Sequence, residues 1–198
     1  RFQPEDDVDR DACERLGVDV VRRPTGGRGL LHGADLTYAV AMVRPEGAAG
    51  RVDAVYERLA GALIAGLARI GVAATVARHD GPSGPVCFAS QQGADLRVGE
   101  RKLCGSAQVH LGAAVLQHGS VLLDRLPFDE TDVLRPAPGR PAGAARDRRA
   151  QLRRATVTLA ELGAPRDPRT VAAALVEGFA ATLDVDFGPE LDLDLACS

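Results

Sequence analysis

The sequence predicts an α+β fold in which helices cover one face of a mixed or antiparallel β-sheet, and three observations support this class. Strand-like segments cluster in the middle of the chain, helical patterns follow them, and one long helix lies between strands. A parallel α/β fold would instead alternate strands and helices regularly. The 198 residues suit one domain, so residues 1–198 are interpreted as a single unit.

The predicted elements follow from capping residues and hydrophobic spacing. Asp9 caps a helix over 9–16, and Gly17 ends it. Apolar residues repeat at three- and four-residue steps over 52–70, which predicts the clearest helix. Two further helices are predicted at 146–162 and 170–183. Strands are predicted at 18–21, 36–43, 72–77, 86–89, 96–98, 101–109 and 113–124.

Proline and glycine set the remaining divisions of the chain. Residues 127–143 are rich in both and predict a connector over the surface, which separates the sheet region from a helical part at 144–198. The chain opens at Arg1-Phe2-Gln3 without a methionine. We therefore expect strands that precede residue 1 in the natural protein to be missing.

Composition excludes several functional classes. The net charge of −3 argues against nucleic-acid binding, and no apolar run approaches the roughly 20 residues that span a bilayer. Neither the four cysteines nor the four histidines show zinc-ligand spacing. Few cysteines and no signal peptide indicate a cytoplasmic protein with reduced thiols.

Lysine usage singles out one residue. Of the 24 basic residues, 23 are arginine and only Lys102 is lysine. A permissive surface position would have drifted to arginine as well. Arginine keeps its charge and presents a planar fork, so it cannot replace a lysine that sits compactly beside a thiol or shares a proton. We expect Lys102 to be functional. On an extended strand it would share a face with Cys104, Ser106 and Gln108.

A glycine-rich loop at 24–29 is the second candidate. An ordinary turn would explain the bare Thr25-Gly26-Gly27, but Arg22 and Arg23 precede it and His32 follows it. Residues without side chains let the backbone approach a ligand closely. The spacing matches neither a P-loop nor a dinucleotide fingerprint.

Two cysteines and one histidine remain open on pattern alone. Cys87 opens a short apolar strand fifteen residues before Lys102, and a nearby cation would raise its thiolate fraction. A buried structural cysteine is the alternative, and Cys104 is a rival nucleophile. His118 precedes Gly119, and a glycine inside a strand often marks a close backbone approach or a bulge, although a hydrogen-bonded core or edge histidine is the favoured explanation of His118.

Three ordered segments resemble the biotin/lipoate protein ligase superfamily. Residues 22–38 resemble its RRPTGGR…LH…LTYS segment, residues 99–108 (GERKLCGSAQ) its lysine segment, and residues 116–124 (LQHGSVLLD) its LQHGSILLD segment. Within this superfamily the chain is most similar to the octanoyltransferase of lipoate biosynthesis found in Gram-positive bacteria. The nucleophile of that type lies in an ACF segment, which Val86-Cys87-Phe88 matches.

The resemblance implies a catalytic domain of the class II aminoacyl-tRNA-synthetase-like fold. It implies that Cys87 forms an acyl-thioester, that Lys102 lowers the Cys87 pKa, and that Cys104 is not the nucleophile. The donor would be octanoyl-acyl carrier protein, and the acceptor a lysine of the glycine-cleavage H protein or of a lipoyl domain. No cofactor, nucleic acid or membrane is implied, and the enzyme would act as a monomer. The expected substrate-binding residues are Arg23, Thr25, Gly26, Gly27, Arg28, His32, Gly105, Ser106, Ala107, His118 and Gly119.

Three other activities remain as alternatives. An ATP-dependent lipoate–protein ligase would bind an adenylate at the glycine loop and Lys102 and would need no cysteine. An amidotransferase would move octanoyl between carrier proteins. The alternative from a different functional class is a fragment that binds a carrier protein without catalysing a reaction.

Overall fold

A five-stranded antiparallel sheet forms the centre of the molecule, a computed structural model that describes residues 4–77, 95–135 and 145–189. The strands are β1 (Asp35–Val43), β2 (Thr75–Val76), β3 (Leu96–Val98), β4 (Arg101–Leu111) and β5 (Ala114–Leu122). Their spatial order is β1-β5-β4-β3-β2. Glycines at positive φ make the two tight turns, Gly99 between β3 and β4 and Gly112 between β4 and β5. The predicted α+β class is confirmed.

Five α-helices accompany the sheet in the described residues: α1 (Arg10–Leu16), α2 (Val52–Arg69), α3 (Glu130–Val133), α4 (Ala145–Ala155) and α5 (Pro168–Leu183). The predicted Asp9 cap is confirmed, because its side chain accepts the amide of Ala12, and Gly17 ends α1 at φ 66°. Asp167 caps α5 in the same way through Thr170. None of these helices combines the length and apolar composition needed to cross a bilayer.

The main core lies between the sheet and the α2–α5 pair. Leu59, Leu63 and Leu67 form the buried stripe of α2, as the apolar spacing predicts, and Val171, with Leu175, contributes from α5. The two helices meet at glycines. A Cβ atom at Gly178 would lie 2.6 Å from the Cα atom of Gly66, so the two backbones approach too closely for any side chain.

Three of the predicted segments differ from the structure. Residues 18–21 form no strand, and Val21 is 87% exposed. The strand expected at 72–77 is reduced to Thr75–Val76. The connector expected at 127–143 contains the short helix α3, which Asp129 and Asp132 stabilise as a capping box. The predicted strand at 86–89 lies outside the described residues.

The helix predicted over 146–162 ends at Ala155 because the following residues join the sheet. Thr156 forms a parallel bridge with Lys102, and the amide of Val157 donates to the Lys102 carbonyl at 2.9 Å. Arg125 reinforces this change by donating to the Thr156 carbonyl and hydroxyl. The tertiary pairing therefore overrides the helical pattern in the sequence.

The glycine contact between α2 and α5 predicts opposite effects for two similar substitutions. Gly178→Ala would place a methyl group against the α2 backbone and should lower the free energy of unfolding by about 1–3 kcal/mol or more. Gly61→Ala is the matched control, since its Cβ would meet only Thr182 at an ordinary 3.8 Å. It should stabilise the protein by about 0.5–1 kcal/mol. Urea unfolding of both variants measures the difference, and equal effects would contradict the packing described here.

Candidate active site

The strand register assigns the site residues to the two faces of the sheet. Residues that pair directly across antiparallel strands share a face. The helix face, which packs against α2 and α5, carries Tyr38, Gly119 and Ser106 in one row. We call the opposite side the loop face, because the glycine loop contacts it. One row of the loop face contains Thr37, Ser120 and Gly105. The adjacent row contains Ala39, His118 and Ala107.

Lys102 is buried in an ion pair on the loop face. Its side chain is 1% exposed, and Nζ lies 2.7 Å from Oδ2 of Asp95, itself 3% exposed. A Cβ atom at Gly105 would lie 3.2 Å from Nζ, so the missing side chain at 105 leaves the ammonium its space. A buried charge is tolerated only when it is paired, and Asp95 supplies the partner.

A β-bulge brings Lys102 to this face. Leu96 pairs with Cys104 but Arg97 pairs with Lys102, so Leu103 is an extra residue in β4. Both Leu103 and Cys104 therefore enter the core. The prediction that Lys102 shares a face with Cys104 and Ser106 is wrong, because regular alternation is broken at Leu103. The bulge places Lys102 with Gly105, Ala107 and His118 instead.

Cys104 is a poor nucleophile. It is fully buried in the core, and burial, together with the nearby Asp95 carboxylate, raises the pKa of its thiol to about 12. Because the thiolate is the reactive form, a thiol at that pKa stays inert near neutral pH. Cys13 is also buried, in a small cluster with Val133 and Leu134. The predicted nucleophile Cys87 lies outside the described residues.

The glycine loop contacts the loop face through Thr25, and a hydrogen bond from Arg23 holds the loop together internally. Thr25 is buried, and its Oγ1 lies 2.6 Å from Nε2 of His118. Arg23 turns back to donate to the Arg28 carbonyl at 3.2 Å. Gly27 has φ 114°, and a Cβ there would collide with the Arg23 guanidinium. The position therefore requires glycine.

A second polar pair, His32 with Asp35, lies at the end of this loop. Nδ1 of His32 is 2.7 Å from Oδ2 of Asp35, which also accepts the Ser120 hydroxyl at 2.5 Å, while its Oδ1 accepts the Gly33 amide at 2.8 Å. Burial opposes ionisation of Asp35, but these donors prevail and lower its pKa to about 2. The Asp35 hydrogen bond in turn raises the pKa of His32.

The surroundings of His118 have the opposite effect on its pKa from those of His32. Its pKa is lowered by burial and by the nearby charges of Arg23 and His32. Neutral His118 therefore fits a positioning role toward Thr25.

Ser106 and Gly119 face away from the loop. The Ser106 hydroxyl lies 2.7 Å from the Tyr38 hydroxyl, which also accepts a hydrogen bond from Gln117 at 3.0 Å. A Cβ at Gly119 would lie 2.6 Å from the Tyr38 ring, so glycine lets the ring cross β5 to reach Ser106. Any contact of Ser106 or Gly119 with substrate would come from the backbone.

A cleft of about 620 Å³ opens beside the glycine loop. Its walls include Leu30, Leu31 and Phe128, with Thr25, Gly27 and His32 at one side. The volume falls within the range of small-molecule sites, and mixed apolar walls with a few polar groups are typical of them. In the part of the chain that the structure describes, no three His, Cys, Asp or Glu side chains come together to hold a metal.

Sequence reasoning missed the two carboxylates. Asp95 and Asp35 each hold a predicted residue, Lys102 and His32 respectively. A signal existed for Asp95, because it directly precedes the predicted β3–β4 hairpin that contains Lys102. For Asp35, only its position three residues after His32 hinted at the contact.

Comparisons with known proteins point to one family. The lipoyl protein ligase A/B catalytic domain family matches residues 1–180. Octanoyltransferase LipM of Kyrpidia tusciae is 38% identical over 194 residues, covering 92% of this chain and 69% of that protein. Octanoyltransferase LipM of Symbiobacterium thermophilum is 37% identical over 193 residues, with the same coverage.

Solved structures show the same fold. A lipoate-protein ligase A bound with ATP superposes with a TM-score of 0.75 at 24% identity, covering 96% of this chain and 69% of that one. A bipartite lipoate protein ligase from Thermoplasma acidophilum gives 0.74 at 22% identity, with 96% and 68% coverage.

The buried ion pair predicts non-additive effects on stability. Asp95→Asn leaves the Lys102 ammonium buried without its carboxylate and should lower the free energy of unfolding by about 3–5 kcal/mol. Adding Lys102→Met to Asp95→Asn should restore much of that loss, because the uncompensated charge disappears. Chemical denaturation of the single and double variants gives the coupling, and additive losses would contradict a pair that stabilises Lys102.

The low Asp35 pKa predicts a pH dependence of stability. The ionised carboxylate should contribute roughly 2 kcal/mol above about pH 4, and the contribution should disappear as the pH falls toward 2. Asp35→Asn should remove this part of the acid dependence, measured by denaturation between pH 2 and about 5. Exposed Asp186→Asn is the control and should leave it almost unchanged; an equal effect of both variants would refute the assignment.

Proposed function

Because the chain belongs to the lipoyl protein ligase A/B catalytic domain family and is a transferase that acts in octanoyl transfer for lipoylation, we propose the following specific reaction. It moves the octanoyl group of octanoyl-acyl carrier protein to a lysine of the glycine-cleavage H protein or of a lipoyl domain. The reaction passes through a thioester on Cys87. The observation that carries the proposal is the buried Lys102 ammonium, held by Asp95 on the loop face.

Covalent catalysis divides the transfer into two steps. The Cys87 thiolate attacks the donor carbonyl, the new C–S bond forms, the C–S bond to the carrier breaks, and the carrier leaves as its thiolate, which takes a proton from water. The acceptor amine then attacks the Cys87 thioester, forms the amide and releases the thiolate. Neither step needs ATP or a metal ion.

Lys102 supplies a fixed positive charge to both steps. An ammonium close to a thiol favours the thiolate, and it also stabilises the negative charge that develops on the attacked carbonyl oxygen. Because Asp95 and the bulge fix its position, the charge requires no rearrangement during the reaction. Arginine at 102 would present a larger planar group against Gly105.

The cleft beside the glycine loop provides space for the acyl chain. Its apolar residues would exclude water from the octanoyl group, and the loop backbone at Gly26 and Gly27 would lie alongside it. Arg23 and Arg28 also line the cleft and bring positive charge to it. Backbone groups of Gly105, Ser106 and Ala107 would border the carbonyl beside Lys102.

Octanoyl transfer to Cys87 can be tested by intact-mass analysis. After mixing with octanoyl-acyl carrier protein, we expect the protein to gain the mass of one octanoyl group, removable by hydroxylamine. Cys87→Ala should lose the adduct completely. Cys104→Ala is the matched control and should keep it, since Cys104 is buried with a high pKa.

Two results would count against the proposal. An adduct that persists in Cys87→Ala would place the acyl group elsewhere. Lipoylation that requires ATP and free lipoate would instead identify a ligase.

A further inference from the structure

We propose that Tyr38 is a positioning residue for Lys102, to which it is linked through Ser106 and Gly105 of β4; the inference rests on the proposed function. Tyr38 lies on the helix face, where its ring packs beside Phe179 of α5 with the ring centroids 6.2 Å apart. The Lys102 ammonium lies on the loop face. A contact on the packed side of the sheet therefore supports a charged group on the other side.

Gly119 allows the Tyr38 ring to cross β5. Gly119 is the direct cross-strand partner of both Tyr38 and Ser106. A Cβ atom at 119 would lie 2.6 Å from the ring and would collide with the Gly105 carbonyl oxygen. Because no side chain intervenes, the Tyr38 hydroxyl lies 2.7 Å from the Ser106 hydroxyl. The contact therefore joins β1 directly to β4, across the strand that separates them.

The hydrogen bonds around Tyr38 direct its proton at Ser106. The Gln117 amide donates to the Tyr38 oxygen at 3.0 Å, and its own oxygen accepts from Gln108 at 2.9 Å, so both ends of this buried amide have a partner. Burial raises the pKa of the Tyr38 phenol, which therefore keeps its proton near neutral pH. Since Gln117 supplies a donor to the phenol oxygen, the phenol donates its own proton to Ser106.

Gly105 lies between two residues that are held on the helix face. Cys104, which precedes it, is fully buried in the core. Ser106, which follows it, is bonded to Tyr38. The backbone of Gly105 is thereby fixed from the packed side of the sheet, and the side on which it lacks a Cβ atom faces Lys102.

The ion pair packs directly on this glycine. A Cβ atom at 105 would lie 3.1 Å from Cε and 3.2 Å from Nζ of Lys102, and 3.7 Å from Oδ1 of Asp95. The ammonium and the carboxylate are 2.7 Å apart, and both are buried. A buried ion pair is stable only when its geometry is excellent. We therefore expect a shift of the Gly105 backbone to move the ammonium.

The position of the ammonium matters for the proposed reaction because its charge must already be in place when the reaction begins. A misplacement of about 1 Å can slow an enzymatic reaction by roughly 10²-fold. Loss of the Tyr38 hydroxyl should therefore lower the rate of octanoyl transfer, while binding of the carrier protein stays the same.

A nuclear magnetic resonance experiment on Lys102 tests the link directly. Lys102 is the only lysine of the chain, so a carbon-13 label at the lysine Cε gives one signal, which reports on this ammonium. In Tyr38→Phe we expect that signal to shift and to broaden, because the ring remains but the bond to Ser106 is lost. Ser106→Ala breaks the same contact from β4 and should change the signal in the same way.

Tyr56→Phe is the matched control. Tyr56 on α2 is the only other tyrosine of the chain, and it is also partly buried. Its hydroxyl contacts the backbone of Gln108 instead of Ser106. The substitution removes the same chemical group and should leave the Lys102 signal unchanged.

Octanoyl transfer from octanoyl-acyl carrier protein measures the consequence for the reaction. Tyr38→Phe should lower kcat by about 10-fold or more and leave the KM for the carrier protein unchanged. Combining it with Ser106→Ala should cause no further loss, because both substitutions break one contact. Tyr56→Phe should react as the wild type does.

The two measurements separate the inference from its premise. The positioning role would be overturned by an unchanged Lys102 signal or a wild-type kcat in Tyr38→Phe, by an equal change in Tyr56→Phe, or by losses that add in the double variant. If the wild-type protein transfers no octanoyl group, the proposed function fails, and the Lys102 signal still decides whether Tyr38 positions the ammonium.

Discussion

The ion pair between Lys102 and Asp95 is the constraint on which the rest of the site depends. Two charges this deeply buried must remain together, because separating them costs several kcal/mol. Keeping them together requires the bulge at Leu103, the absent side chain at Gly105 and the strand-like path of Thr156 and Val157 behind Lys102. Each of these features is local, yet together they fix one ammonium on one face of the sheet.

The sheet separates packing from chemistry. On the helix face, Tyr38 crosses Gly119 and bonds Ser106, which ties three strands together under α2 and α5. On the loop face, Lys102 is buried against Asp95, and His32, which contacts Asp35, lines the cleft beside the glycine loop. The charged and polar side chains of the candidate site therefore lie on the face turned away from α2 and α5.

Sequence patterns predicted elements that local interactions dominate. The α2 stripe, the Asp9 cap and the β3–β4 hairpin were predicted because spacing and turn residues encode them directly. The end of α4 was not predicted, because Thr156 leaves the helical conformation to pair with Lys102, which lies 54 residues earlier in the chain. The bulge was not predicted for the same reason. Strict alternation is the default expectation for a strand, and only the pairing with the neighbouring strand shows that Leu103 is an extra residue. The arginine bias of the sequence singled out Lys102, but its carboxylate partner Asp95 could be identified only from the fold.

The pH dependence of Cys87 alkylation, measured by peptide mapping in the wild type and in Lys102→Met, tests whether Lys102 activates Cys87. An ordinary cysteine titrates near pH 8.5. We expect Cys87 to react with a midpoint clearly below that value, and the midpoint to rise when the ammonium is removed. Identical midpoints in the two proteins would contradict the claim that the ion-paired lysine activates the nucleophile.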